Sequence, residues 1–145
     1  MRDGFMGLAA AIALGAAPSG MAADYKIVDD AIPVPLTAVK GDPKRGRQLI
    51  ASMQESLCLL CHSGPFPEAR FQGSVAPTLA AVGARMTEGQ IRLRIVDPAR
   101  MNPASVMPAY YRSEGLERVA PAFRGRTILS AQQVEDIVVY LATDR

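Results

Sequence analysis

The chain has 145 residues, of which 49% are hydrophobic, so it is long enough for one small domain with accessory segments. Its formal net charge is only +2, and no basic run is long enough to follow a phosphate backbone, which argues against nucleic acid as a partner. Chemically versatile residues are scarce: there are two cysteines, and the single histidine directly follows the second of them.

The first 23 residues have the features of a cleaved export signal. An apolar run from Phe5 to Ala17 follows a short charged start, Pro18 and Gly20 interrupt it, and Met21-Ala22-Ala23 supplies small residues near a cleavage site. The run is too short to span a bilayer as a helix. We therefore expect residues 1–23 to be removed and the mature protein to be periplasmic, without a membrane segment.

Residues 24–40 are predicted to form an extended N-terminal arm, because they have no helical periodicity and contain Pro33 and Pro35. Composition alone leaves open whether the arm lies over its own domain, lies over a partner or hangs free. We assign residues 41–145 to a single domain.

The first predicted helix begins at Asp42-Pro43, because aspartate caps helix N-termini and proline suits the first helical position. The apolar residues that follow fall on one helical face: Leu49, Ile50, Met53 and Leu57. We therefore expect this helix to bring Cys58 to the core side of the domain.

Two more helices carry the capping-box pattern, in which Ser or Thr is followed three residues later by Gln or Glu. Thr87 and Gln90 begin the second, which extends to about Val96 and ends at Asp97-Pro98. Ser130 begins the third, whose apolar residues have helical spacing: Val134, Ile137, Val138 and Leu141. The connecting segments are long and rich in Gly and Pro. The predicted fold is therefore all-α, with three or more helices and long loops wrapped around something that fills the centre.

The pentapeptide Cys58-Leu59-Leu60-Cys61-His62 is the strongest chemical signal in the sequence. A Cys-x-x-Cys-His string places two thiols where each can bond to one vinyl group of a haem, with the histidine under the iron. The alternatives are weaker: a thioredoxin-like pair needs a βαβ setting, a zinc site needs further ligands, and a disulfide here closes a very short loop. We therefore expect one covalent haem c on Cys58 and Cys61, with His62 as an iron ligand.

Because the chain has no second histidine, a six-coordinate iron must take Met, Lys, Tyr or water as its second axial ligand. Met107 is the candidate, since Pro103 and Pro108 stiffen its loop and a thioether ligand has to be held firmly. Met101 competes with it, and any methionine can instead fill gaps in a core. His/Met ligation raises the reduction potential and suits electron transfer. Four arginines could pair with haem propionates or be solvated: Arg85, Arg92, Arg94 and Arg124.

Around these motifs, residues 41–142 resemble the class I c-type cytochromes. Pro77-Thr78-Leu79 is similar to the Pro-x-Leu element of that family. The resemblance implies that the Pro77 carbonyl accepts a hydrogen bond from the His62 ring and that Leu79 packs on the haem.

A narrower resemblance is to the small mono-haem subunit of the SoxAX cytochromes of bacterial sulfur oxidation. The matching stretches are Ile27–Pro33, Cys58–Gly73, Val106–Arg112, Val119–Phe123 and Ile128–Ser130. The resemblance implies a heterodimer with a larger haem-bearing subunit, where thiosulfate is joined oxidatively to the cysteine of a carrier protein (an L-cysteine S-thiosulfotransferase). It implies that this chain passes the electrons to a soluble cytochrome and supplies no catalytic residue itself.

Two other interpretations share the same haem site. One is a free-standing periplasmic electron shuttle, which should tolerate deletion of the arm, whereas a subunit should hide the arm against a partner. The other is a haem-based sensor, in which Met107 leaves the iron to admit a small ligand. Rapid binding of carbon monoxide to the reduced protein would favour the sensor.

Overall fold

The structure is a computed structural model that describes Ala22 and residues 24–144. These residues form three α-helices and four short 3₁₀ turns, and their only β pairing is an isolated bridge between Val28 and Ala31. The predicted all-α class is therefore confirmed. None of the described helices is both long and apolar enough to cross a membrane. The predicted export signal lies outside the described residues except for Ala22, and its removal stays a prediction.

The first helix, α1, comprises Pro43–Ala51 and begins as predicted, with the Asp42 carboxylate accepting hydrogen bonds from the first backbone amides. We predicted that α1 continues through Met53 and Leu57 toward the pentapeptide. This is wrong, because the last helical residue is Ala51 and Ser52 is the C-cap. Met53 and Leu57 lie in the loop that follows and are exposed. The Ser52 hydroxyl explains the early end: it accepts hydrogen bonds from the amides two and three residues later, which a longer helix would have used.

The second and third helices, α2 (Glu88–Val96) and α3 (Ala131–Thr143), begin as predicted. Both have a complete capping box, formed at Thr87 and at Ser130 with the glutamine three residues later. α2 ends before Asp97, also as predicted. The predicted apolar face of α3 is buried in the core: Val134, Ile137, Val138 and Leu141.

The close crossing of α1 and α3 organises the domain, and glycine makes it possible. A Cβ atom at Gly46 would lie 2.0 Å from the carbonyl oxygen of Asp136, so only glycine fits between the two backbones. Beside the crossing, Arg45 donates to both carboxylate oxygens of Asp136, at 2.8 and 2.9 Å. α2 also packs against α3, which makes α3 the central helix of the frame.

The predicted arm lies against its own domain. Ile32 is fully buried, and its amide donates to the carbonyl of Gly89 in α2 at 3.0 Å. Arg92 donates to the Ile32 carbonyl at 2.7 Å, and Glu135 accepts a hydrogen bond from the Leu36 amide at 2.9 Å. These contacts fix the arm to α2 and α3. The division of the chain into an arm and a domain stays a prediction.

Candidate cofactor-binding site

The pentapeptide begins with a tight 3₁₀ turn, Cys58–Leu60, entered from Leu57 in the left-handed conformation (φ 57°). The carbonyl of the first cysteine accepts hydrogen bonds from the amides of Cys61 and His62, at 3.2 and 3.0 Å. The second residue of the turn, Leu59, is 1% exposed and anchors the turn in the core. Both cysteines are free thiols, and both line one cleft.

The orientation of His62 is set by the loop that carries the Pro-x-Leu element. Its ring Nδ1 lies 2.6 Å from the carbonyl oxygen of Pro77. Because a carbonyl oxygen can only accept, Nδ1 carries the hydrogen and Nε2 keeps its lone pair for a metal. The loop is itself tied to the Ser63 carbonyl, which accepts from the Leu79 amide at 2.7 Å and from the Thr78 hydroxyl at 3.2 Å. An imidazole held in this way is pre-oriented as a ligand.

The cleft is lined by all the residues predicted to attach a haem, bind its iron or pack on it, whereas Pro77, predicted to orient the His62 ring, is not part of the lining. It holds about 690 Å³ of space when its open mouth is counted. The candidate residues in its lining are Cys58, Cys61, His62, Leu79 and Met107. The rest of the lining is apolar apart from one phenol: Ile50, Leu57, Val75, Ala76, Ile95, Val106, Pro108, Tyr110, Leu129, Ile137 and Leu141. A flat apolar macrocycle that needs two thiols, an imidazole and a thioether fits this lining, which includes no carboxylate.

Met107 differs from the other methionines in the described part of the chain because its side chain lines the cleft. It is half-buried, and its amide donates to the Ser105 hydroxyl at 3.2 Å. Met101, the competing candidate, is 40% exposed and is not part of the lining. Met86 packs against the core and Met53 lies in an exposed loop. Met107 therefore remains the candidate second ligand, and its coordination of iron stays a prediction.

Burial controls the protonation of Cys58 and Tyr110, which both line the cleft. It raises the pKa of the Cys58 thiol, although the nearby side chains of Ser56 and Tyr110 oppose the shift. Burial, followed by the nearby cysteines, also raises the pKa of Tyr110. The Tyr110 hydroxyl donates to the backbone carbonyl of Ser56. Both groups are therefore neutral at physiological pH.

The four arginines considered as propionate partners differ in their surroundings. Arg92 is buried and donates to both carboxylate oxygens of Glu135 at 2.7 and 2.8 Å, so it is neither a propionate partner nor a solvated charge. Arg85 and Arg94 donate to nearby backbone carbonyls at 3.0 Å. Arg124 is exposed. Sequence patterns cannot reveal the role of Arg92, since its partner is 43 residues away.

Sequence patterns also fail to single out Ser56 and Tyr110. Ser56 is fully buried, and its hydroxyl donates to the Leu49 carbonyl at 2.7 Å. The one available signal was a pair of tyrosines directly after the Pro-rich methionine loop, which suggests burial of an aromatic side chain. That signal does not identify the segment that receives the hydroxyl.

No protein-family model and no curated protein matches the chain. A solved structure does: a chain in the crystal structure of SoxXA from P. pantotrophus is 31% identical in sequence and superposes with a TM-score of 0.75. The match covers 82% of this chain and 93% of that chain. It therefore extends well beyond the pentapeptide.

Proposed function

The chain belongs to the Sox-related cytochromes and has an all-α, cytochrome c-like fold. From this we propose that it is the small mono-haem electron-transfer subunit of a SoxXA-type complex. Cys58 and Cys61 would hold one haem c through thioether bonds, and His62 and Met107 would bind its iron. The observation that carries the proposal is the convergence of two thiols, an imidazole and a thioether in one apolar cleft.

The residues of the cleft suit electron transfer. A haem held there would supply an iron centre that gains and loses one electron. The hydrogen bond from His62 to Pro77 fixes the imidazole, so little reorganisation accompanies a change of charge. The soft thioether of Met107 and the apolar walls favour the less charged, reduced state and raise the potential. Because His62 and Met107 would both bind the iron, the haem would carry electrons and leave no position for a substrate.

Thiosulfate oxidation itself is assigned to a larger haem-bearing subunit. There the outer sulfur of thiosulfate bonds to the cysteine sulfur of a carrier protein, the thiol proton is released and two electrons leave. This chain has no cysteine beyond Cys58 and Cys61, so it cannot provide a separate cysteine ligand for a second haem. Its part is to pass the electrons, one at a time, to a soluble cytochrome in the periplasm.

Isolation of the complex tests this proposal. The tagged protein is purified from the periplasm of thiosulfate-grown cells, and every co-eluting protein is identified by mass. We expect a second haem protein in equal amount and reduction of this chain's haem on addition of thiosulfate and the carrier protein. A lone haem protein that remains oxidised under these conditions would instead support the free electron shuttle.

The ligand assignment has its own test, in which Met101 provides the matched control. Met107→Ala should abolish the long-wavelength charge-transfer band of ferric His/Met haem, because the thioether in the cleft is removed. Met101→Ala should leave the band unchanged, since this side chain lies outside the lining. A band that survives in Met107→Ala would refute Met107 as the ligand. Rapid carbon monoxide binding by the unmodified reduced protein would favour the sensor.

A further inference from the structure

Tyr110 lies three residues after Met107 and has an unusually complete set of contacts. Its side chain lines the cleft, and the residue is 6% exposed. Its amide donates to the carbonyl of Ile95 in α2 at 3.1 Å. Its carbonyl accepts hydrogen bonds from the amides of Ile128 and Leu129, both at 3.0 Å. The backbone of Tyr110 therefore joins the end of the methionine segment to α2 and to the residues just before α3.

The side chain of Tyr110 connects the end of the methionine segment to the opposite part of the site. Its hydroxyl donates to the backbone carbonyl of Ser56, two residues before Cys58. Ser56 is immobilised in turn by its own hydrogen bond to Leu49 at the end of α1. The phenol thus spans from the methionine segment to the segment that enters the haem-attachment turn.

The residues before Met107 offer no comparable connection. Within residues 102–107, Ser105 donates to the Asn102 carbonyl at 2.9 Å, Ala104 donates to the Asn102 side chain at 3.0 Å, and Met107 donates to Ser105 at 3.2 Å. These bonds are all local, so they move with the loop. The hydroxyl of Tyr110 is therefore the nearest side-chain bond that resists movement of Met107 away from the attachment turn.

We propose that Tyr110 is a positioning residue that holds the Met107 segment against the attachment turn and so limits displacement of the Met107 thioether from iron by an external ligand. This inference rests on the proposed His/Met ligation. In this proposal, opening of the segment breaks the hydrogen bond between Tyr110 and Ser56, so loss of that one buried bond raises the open population about fivefold. The apparent affinity of an external ligand for iron rises by the same factor.

The experiment is an imidazole titration of ferric holoprotein, followed by loss of the charge-transfer band. Tyr110→Phe keeps the ring and removes the hydroxyl, and we expect imidazole to bind about fivefold more tightly. Tyr140→Phe is the matched control, because it removes a half-buried tyrosine hydroxyl outside the cleft lining. It should stay within about twofold of the unmodified protein. Equal affinities of the two variants for imidazole would overturn the proposal. This holds even if Tyr110→Phe also lowers the urea midpoint, because a loss of stability alone is not a positioning effect.

Hydrogen exchange on the unmodified protein provides a second test that needs no variant. Imidazole binding should speed exchange of amides in residues 102–109 and also in residues 52–57, because opening breaks the bond between Tyr110 and Ser56. Faster exchange confined to residues 102–109 would contradict the proposal. An unmodified protein without the charge-transfer band would refute the ligation itself, which is a separate result.

Discussion

The buried ion pair between Arg92 and Glu135 should be the interaction on which the stability of this domain depends most. The two side chains are 1% and 4% exposed and are joined by hydrogen bonds of 2.7 and 2.8 Å. Each also holds the arm: Arg92 donates to the Ile32 carbonyl, and Glu135 accepts from the Leu36 amide. Removing one partner therefore leaves a charge in the core and frees a contact of the arm.

Arg92→Met and Glu135→Leu should each lower the free energy of unfolding by about 4 kcal/mol, since each leaves a buried charge without its hydrogen-bonded partner, and the exposed Glu88 carboxylate, 4.0 Å from Arg92, compensates little. The double variant has no buried charge, although it still lacks the two hydrogen bonds to the arm. It should lose only about 2 kcal/mol, from those two bonds at about 1 kcal/mol each. The expected coupling energy between the two sites is thus about 6 kcal/mol, with the double variant more stable than either single one.

The assay is urea denaturation of the holoprotein, combined with the rate of trypsin cleavage after Lys40 as a measure of arm release. Glu68→Gln is the control, because its partner Arg47 forms an ion pair whose side chains are 38% and 48% exposed. An exposed pair should contribute less than about 1 kcal/mol. The reasoning fails if Arg92→Met costs no more than this control, or if the two single losses add in the double variant.

Two further predictions concern the crossing of α1 and α3. Gly46→Ala should lower the free energy of unfolding by about 3 kcal/mol, since the new Cβ would overlap the Asp136 carbonyl. The control is Gly115→Ala, at a positive φ in open space, which should lower it by about 1 kcal/mol. Equal losses in the two variants would contradict the steric argument. Burial raises the pKa of Asp136, but hydrogen bonds led by that from Arg45 outweigh it and hold the pKa below its usual value. The stability from this carboxylate is therefore full above the unfolded pKa of about 3.9 and is lost as the pH falls through the lower folded pKa. The urea midpoint of Asp136→Asn should fall well below that of the unmodified protein at neutral pH and approach it below about pH 3, and a gap that stays constant with pH would count against this account.

The sequence predicts those parts of the fold that depend on local chemistry. The capping boxes at Thr87 and Ser130 and the helix start at Asp42 need only residues within one turn, and the structure has all three. The end of α1 depends on competition for the same amides by the Ser52 hydroxyl and on the bond from Ser56 to Leu49. The spacing of apolar residues contains no information about that competition, so the helix was predicted too long.

In the candidate site, too, only the features that depend on local sequence could be predicted. The pentapeptide could be predicted to attach a haem because a porphyrin dictates the spacing of the two thiols that bind it. Met107 lies near the cysteines because of tertiary packing, which the sequence does not show. Met107 was chosen from the sequence only because a second iron ligand other than histidine was needed. Arg92 and Tyr110 could not be assigned from the sequence, because their partners, Glu135 and Ser56, lie 43 and 54 residues away.

The packing of the arm changes which experiment can distinguish a complex subunit from a free shuttle. From sequence, deletion of residues 24–40 should be harmless in a shuttle and harmful in a subunit. In the structure, however, deletion removes the fully buried Ile32 and takes one hydrogen-bond partner from each member of the Arg92–Glu135 pair. The deletion would therefore destabilise the domain whether or not a partner exists. Because an unstable variant would also lose any partner, the deletion cannot separate the two functions, and isolation of the intact protein with its co-eluting haem proteins is the decisive experiment.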